Sequence, residues 1–154
     1  MKKIYFLKSC LFTFWMLLFS LNAYAKQTDP LIGCWRFVKA VSANGIIDNT
    51  WGKNPIGYLI YSPQGVMEVQ IMRKEQTSTA TSLEENFFAY GGYYRIDEKN
   101  HRVTHEIETA VFPEMVGKSY QRIYHIKQNY LYLTIAESKK GQTFVWKKCH
   151  SLNA

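Results

Sequence analysis

Between residues 33 and 41 the apolar side chains Trp35, Phe37 and Val41 fall on one parity, with Arg36 on the other. That period-two alternation predicts a half-buried strand rather than a helix. Asn44-Gly45 then marks a turn, and residues 52–55 a loop. Residues 57–61 and 66–72 are two β-rich runs, and the polar link Ser62-Pro63-Gln64-Gly65 between them predicts a hairpin. Residues 74–86 are rich in Thr, Ser and Glu, with Leu83 the one clearly apolar side chain. They read as a loop, with one helical turn over 82–86 where Ser82 and Glu85 suit a capping box. A solvated linker and a lid over a cavity mouth are both open readings of this segment.

The strand pattern resumes over 87–96 with Phe88, Tyr90, Tyr93 and Tyr94, interrupted by Gly91-Gly92. Paired glycines inside a strand predict a bulge or bend. Residues 102–111, 120–127, 130–136 and 142–148 complete a set of eight strands joined mostly by short links, with no long amphipathic helix among them. The pattern therefore predicts an all-β domain, a closed antiparallel barrel or a sandwich.

The N-terminal segment changes how composition is weighed. Lys2, Lys3 and Lys8 precede the apolar block from Leu11 to Phe19, and Ala23-Tyr24-Ala25 follows. This order predicts a secretory signal peptide over 1–25, cleaved after Ala25, with one barrel domain over 26–154. The apolar block is shorter than the roughly 20 residues a spanning helix needs. Cys10 lies near the start of that block, so a lipoprotein site is not indicated. Removing three lysines and no acids lowers the formal charge from +7 to about +4. No Lys/Arg run interleaved with aromatics remains, which argues against a nucleic-acid partner.

Of three cysteines, Cys34 and Cys149 lie beyond the signal segment. Cys34 begins the first predicted strand and Cys149 follows the last. In a closed barrel with an even number of strands these two ends are antiparallel neighbours, so a disulfide is expected in an oxidising compartment. Two unrelated buried thiols are the alternative. The pairing favours a closed up-and-down barrel over a sandwich.

A family resemblance rests on an ordered set of motifs. These are Leu31-Ile32-Gly33-Cys34-Trp35-Arg36, Pro55-Ile56-Gly57-Tyr58-Leu59-Ile60-Tyr61, Gly65-Val66-Met67-Glu68-Val69-Gln70, Tyr90-Gly91-Gly92-Tyr93-Tyr94 and Val103-Thr104-His105-Glu106-Ile107-Glu108. They continue through Phe112-Pro113-Glu114-Met115-Val116-Gly117, Arg122 and Val145-Trp146. Over residues 29–148 the chain resembles the lipocalin-like domain family of bacteria and fungi. The resemblance implies a small barrel similar to lipocalins and fatty-acid-binding proteins, with hydrophobic-ligand binding as the expected role. Two departures, the signal segment and Cys34 where a threonine is more usual, both fit an exported, periplasmic or secreted protein. A shared fold does not transfer a specific function.

Alternation also places candidate chemistry. On 102–111, His105 shares its parity with Val103, Ile107 and Val111; on 120–127, Arg122 shares its parity with Tyr120, Tyr124 and Ile126. Both polar residues are therefore expected inside the barrel. An inward arginine is costly unless paired, so its acceptor is a protein group such as Glu68, Glu106 or a tyrosine, or else a bound anion. In the latter case Arg122, with Tyr120, Tyr124 and Tyr58, holds the acidic head of a small hydrophobic molecule. Its apolar part then lies against Trp35, Met67, Phe88 and Tyr90, with His105 nearby.

The alternative for Arg122 is a structural role in a plugged core. For His105 the choice is between a core hydrogen bond and the general acid or base of an isomerase, cyclase or hydrolase. Neither a Ser-His-Asp order, a Gly-x-Ser-x-Gly elbow nor a phosphate-cradling loop is present. His101 and His105 are about 13 Å apart by strand rise, too far for one metal. No cofactor or metal is expected. A third reading, an interaction barrel at the cell envelope, would use Lys139-Lys140 and Lys147-Lys148 against anionic lipid.

Overall fold

The computed structural model describes residues 29–74, 86–136 and 141–150. The expected signal segment, most of the 74–86 stretch with its expected helical turn, and Lys139-Lys140 lie outside them. Among the described residues nine strands are formed: β1 (Gly33–Val41), β2 (Ile47–Asp48), β3 (Ile56–Tyr61), β4 (Val66–Met72), β5 (Phe87–Asp97), β6 (Arg102–Ala110), β7 (Ser119–Lys127), β8 (Tyr130–Ile135) and β9 (Thr143–Lys148). β1 and β3 through β9 pair antiparallel in succession, and β9 pairs back onto β1. The sheet is thus a closed eight-stranded up-and-down barrel, which leaves no free edge along its length.

β2 is an addition that the eight-strand pattern did not foresee. It is a two-residue ribbon folded back on the end of β1, with Ala40 opposite Asp48 and Val41 opposite Ile47. Gly45, at φ +80°, supplies the left-handed residue of its turn. Between β6 and β7 a single 3-10 turn, Pro113–Met115, spans the link. Among the described residues no helix is long and apolar enough to cross a membrane.

Alternation sends one parity of each strand into a core of Phe37, Leu59, Val69, Ile71, Ile107, Leu133 and their neighbours. The bulge foreseen at the glycine pair is present, since the β5–β6 register shifts between Gly91 and Gly92. A Cβ on Gly92 would sit 1.9 Å from the Glu106 carbonyl oxygen, so the two strands approach too closely there for any side chain.

One end of the barrel is plugged by the lead-in to β1. Leu31 is fully buried, and its carbonyl accepts a 2.7 Å hydrogen bond from Trp35 Nε1. Tyr94 Oη donates to the Asp29 carboxylate at 3.0 Å. Lys148 Nζ donates to the Ile32 carbonyl at 2.6 Å and lies 4.2 Å from the centre of the Trp35 ring. Beside this plug the expected disulfide joins Cys34 to Cys149, with Cα atoms 5.3 Å apart.

The barrel also corrects an expectation. Tyr58 does not point inward with Arg122: on β3 the inward parity is Gly57, Leu59 and Tyr61, while Tyr58 is 37% exposed on the outer face. The run 57–61 carries apolar side chains on both parities, so the sequence holds no signal for its facing. Pairing of Leu59 with Trp35 on one side and Val69 on the other sets it.

Candidate functional site

Opposite the plug, where β1, β4, β6 and β8 end and β3, β5, β7 and β9 begin, the interior opens into a cavity of about 380 Å³. Its walls are mainly apolar, with Leu59, Val69, Ile71, Phe88, Leu133, Phe144 and Trp146 contributed by different strands. Trp51, in the loop after β2, lies against Phe88 with ring centres 5.8 Å apart. A set of polar groups interrupts this lining: Tyr90, His105 and Arg122 inside, and Asp48, Thr50 and Gln142.

His105 is 1% exposed, which makes it the one buried residue of polar type among the described residues. Its Nε2 meets Tyr61 Oη at 2.7 Å and its Nδ1 meets Tyr90 Oη at 3.0 Å. Burial, reinforced by the positive charge of Arg122, pushes its pKa down to about 3. The imidazole is therefore neutral at physiological pH, with one N–H and one lone pair shared between two tyrosines. Burial likewise raises the pKa of both partners, Tyr61 and Tyr90, an effect that the charge of Arg122 opposes.

Arg122 is half-buried in the cavity wall. Nη1 donates to the Gln121 carbonyl at 3.1 Å, and the guanidinium carbon lies 5.5 Å from the centre of the Tyr120 ring. Among the described residues the one ion pair is Arg95–Glu106 on the surface, so Arg122 has no carboxylate partner there. The acceptors considered for it are placed elsewhere: Glu68 lies on the exposed parity of β4, and Glu106 pairs with Arg95. Trp146 Nε1 is a buried donor without a hydrogen-bond partner among the described residues. Asp48 is engaged by the Gln142 amide and the Thr50 hydroxyl, a contact between groups 94 residues apart in the first case.

Of the residues expected around a ligand, Phe88, Tyr90, His105 and Arg122 are brought together in this cavity, and Tyr120 stands beside Arg122. Others are not. Trp35 belongs to the plug. Met67 is fully buried in the core without lining the cavity. Tyr124 packs against His101 at 5.7 Å and faces a separate hollow with Pro30 and Glu98. Tyr58 lines an outer groove with Ile60, Glu68 and Thr109. Of the basic pair on β9, Lys148 turns toward Ile32 and Trp35 rather than solvent.

Sequence reasoning missed Tyr61, Trp146, Phe144 and the Asp48–Gln142 pair. Alternation on 142–148 places Phe144 and Trp146 on one parity and so contained the signal for those two. Nothing local signals that Tyr61 meets His105.

The family model of the lipocalin-like domain matches residues 32–149. Among solved structures, a lipocalin-like protein from Bacteroides uniformis is similar at 11% identity and a TM-score of 0.48, over 77% of this chain and 98% of that one. A protein from Bacteroides eggerthii is similar at 11% identity and a TM-score of 0.49, over 77% and 99% of the two chains. No curated protein matches the chain.

Proposed function

The chain belongs to the lipocalin-like domain family, and from that premise we propose that it is an exported carrier of a small, mainly apolar molecule with an acidic head. The observation that carries this reading is Arg122: a guanidinium on the wall of an apolar cavity, with no carboxylate partner among the described residues. A half-buried cation bonded to the neutral Gln121 carbonyl and the Tyr90 side chain has no opposite charge beside it among the described residues, and an anionic ligand group would supply one. A cavity of about 380 Å³ lies within the range of small-molecule binding sites. The size suits a medium-chain or aromatic carboxylate lying against Phe88, Leu133, Phe144 and Trp146.

Export is supported by the basic-apolar-small order of residues 1–25 and by a disulfide, which persists outside the cytoplasm. The enzymatic alternative has less support, because both ring nitrogens of His105 are occupied by tyrosines. A general base needs a free lone pair near the substrate.

The test is native mass spectrometry of the protein purified from its own envelope or medium, followed by identification of what co-purifies. A retained acid that is lost from Arg122→Met supports the carrier reading. An empty cavity that stays empty after soaking in a lipid and metabolite extract overturns it.

A further inference from the structure

The Tyr61–His105–Tyr90 chain has a direction, and the direction determines what the cavity offers to a ligand. A neutral imidazole can donate from one nitrogen and accept at the other. In one arrangement Tyr61 donates to Nε2, and Nδ1–H donates to the Tyr90 oxygen. In the other, Tyr90 donates to Nδ1, and Nε2–H donates to the Tyr61 oxygen.

The two arrangements strand different protons. Tyr61 is 1% exposed, and among the described residues His105 is the sole hydrogen-bond partner of its hydroxyl. The second arrangement would leave the Tyr61 O–H buried with no acceptor. A stranded donor of that kind disfavours it by roughly ten- to hundredfold. The first arrangement releases the Tyr90 O–H instead, and Tyr90 lines the cavity, where a ligand can accept from it.

Around that hydroxyl the polar groups are again donors. The Arg122 guanidinium has five N–H groups and no acceptor, and the unpartnered Trp146 indole has one N–H and no acceptor. Both side chains line the same cavity as Tyr90. The side-chain acceptors of the lining besides the tyrosine and histidine are the Asp48 carboxylate, which takes the Thr50 hydroxyl and the Gln142 amide, and the side-chain oxygens of Gln142 and Thr50.

Building on the carrier reading above, we infer that His105 is a positioning residue protonated on Nδ1, which turns the Tyr90 hydroxyl proton into the cavity. Tyr90, Arg122 and Trp146 then form a donor-only recess that selects a deprotonated oxyanion and rejects amines.

Two measurements on the purified protein test this. With ¹⁵N-labelled histidine, long-range ¹H–¹⁵N correlation NMR should place His105 Nδ1 in the protonated range and Nε2 in the unprotonated range at pH 7. The reverse assignment overturns the inference. In titrations followed by tryptophan fluorescence, decanoate should bind at least about tenfold more tightly than 1-decanol, and decylamine more weakly than either. Tyr90→Phe and, independently, Trp146→Phe should each lower decanoate affinity about three- to tenfold and narrow the preference for decanoate over 1-decanol. If decanoate and 1-decanol bind equally and neither variant changes them, the cavity is a carrier site and the donor-only recess is refuted. If neither probe binds, the carrier reading falls, and the recess with it.

Discussion

The Tyr61 hydroxyl and His105 Nε2 meet at 2.7 Å in the barrel interior, although 44 residues separate them in the chain. Tyr61 comes from β3 and His105 from β6, with β4 and β5 between them around the wall. Only curvature brings the two together. The bond ties opposite arcs of the barrel and holds His105 in one rotamer beneath the cavity.

Removing that imidazole should be costly for folding. His105→Ala leaves the Tyr61 and Tyr90 hydroxyls without their partner and opens a void, for an expected loss of about 2–4 kcal/mol in urea unfolding. His105→Gln, which can both donate and accept, should recover part of it. A loss below about 1 kcal/mol for His105→Ala would show that the site relaxes around the missing ring.

Acid should destabilise the barrel through the same residue. The folded pKa of His105 is about 3, against about 6.5 when unfolded. Between those values the unfolded chain binds a proton that the folded chain does not, so stability rises with pH through this window. The full contribution is present above about pH 6.5, and it is lost as pH falls toward 3, with a limiting slope of about 1.4 kcal/mol per pH unit. From pH 6.5 to 4.5 the wild type should lose about 2 kcal/mol more than His105→Gln in denaturant unfolding. Parallel pH profiles for the two proteins would contradict the buried neutral histidine.

The disulfide closes a loop spanning 115 positions, nearly the whole barrel. In the chain-entropy view it stabilises the fold by about 4–5 kcal/mol, through its restriction of the unfolded chain. Cys34→Ser with Cys149→Ser should therefore lower the thermal midpoint by many degrees. The parent protein should show the same drop in reductant, and the double variant should not respond to reductant at all.

Gly92→Ala should be among the most damaging single changes, because the added methyl would overlap the Glu106 carbonyl at 1.9 Å. Relief requires β5 and β6 to separate, so a loss of more than about 3 kcal/mol is expected by denaturant unfolding, or failure to fold. Gly45→Ala meets no atom within 4 Å and strains only a surface turn. It should cost about 1 kcal/mol.

Most of the strand order was legible because alternation carries a strong local signal wherever one parity is apolar and the other polar. His105 and Arg122 could be placed inside on that basis. The same logic had no purchase on residues 57–61, where Tyr58, Leu59, Ile60 and Tyr61 present hydrophobic surface on both faces. For that reason Tyr58, expected inside, faces outward, and Tyr61, to which the sequence assigned no role, faces inward.

Parity also says nothing about height along the barrel axis. Trp35 and Tyr124 do turn inward, yet they sit at the plugged end, away from Arg122. Height follows from the stagger of successive strand registers around the closed sheet, a property of the whole barrel. The amino-acid sequence by itself determined which segments become strands, which parity of most of them is buried, where the glycine bulge falls and which cysteines can meet, because each depends on side chains close in sequence or on strand ends. Tertiary structure alone decided that Tyr61, Tyr90, His105, Arg122 and Trp146 share one interior, because closure and stagger bring residues from five strands into hydrogen-bonding and van der Waals range.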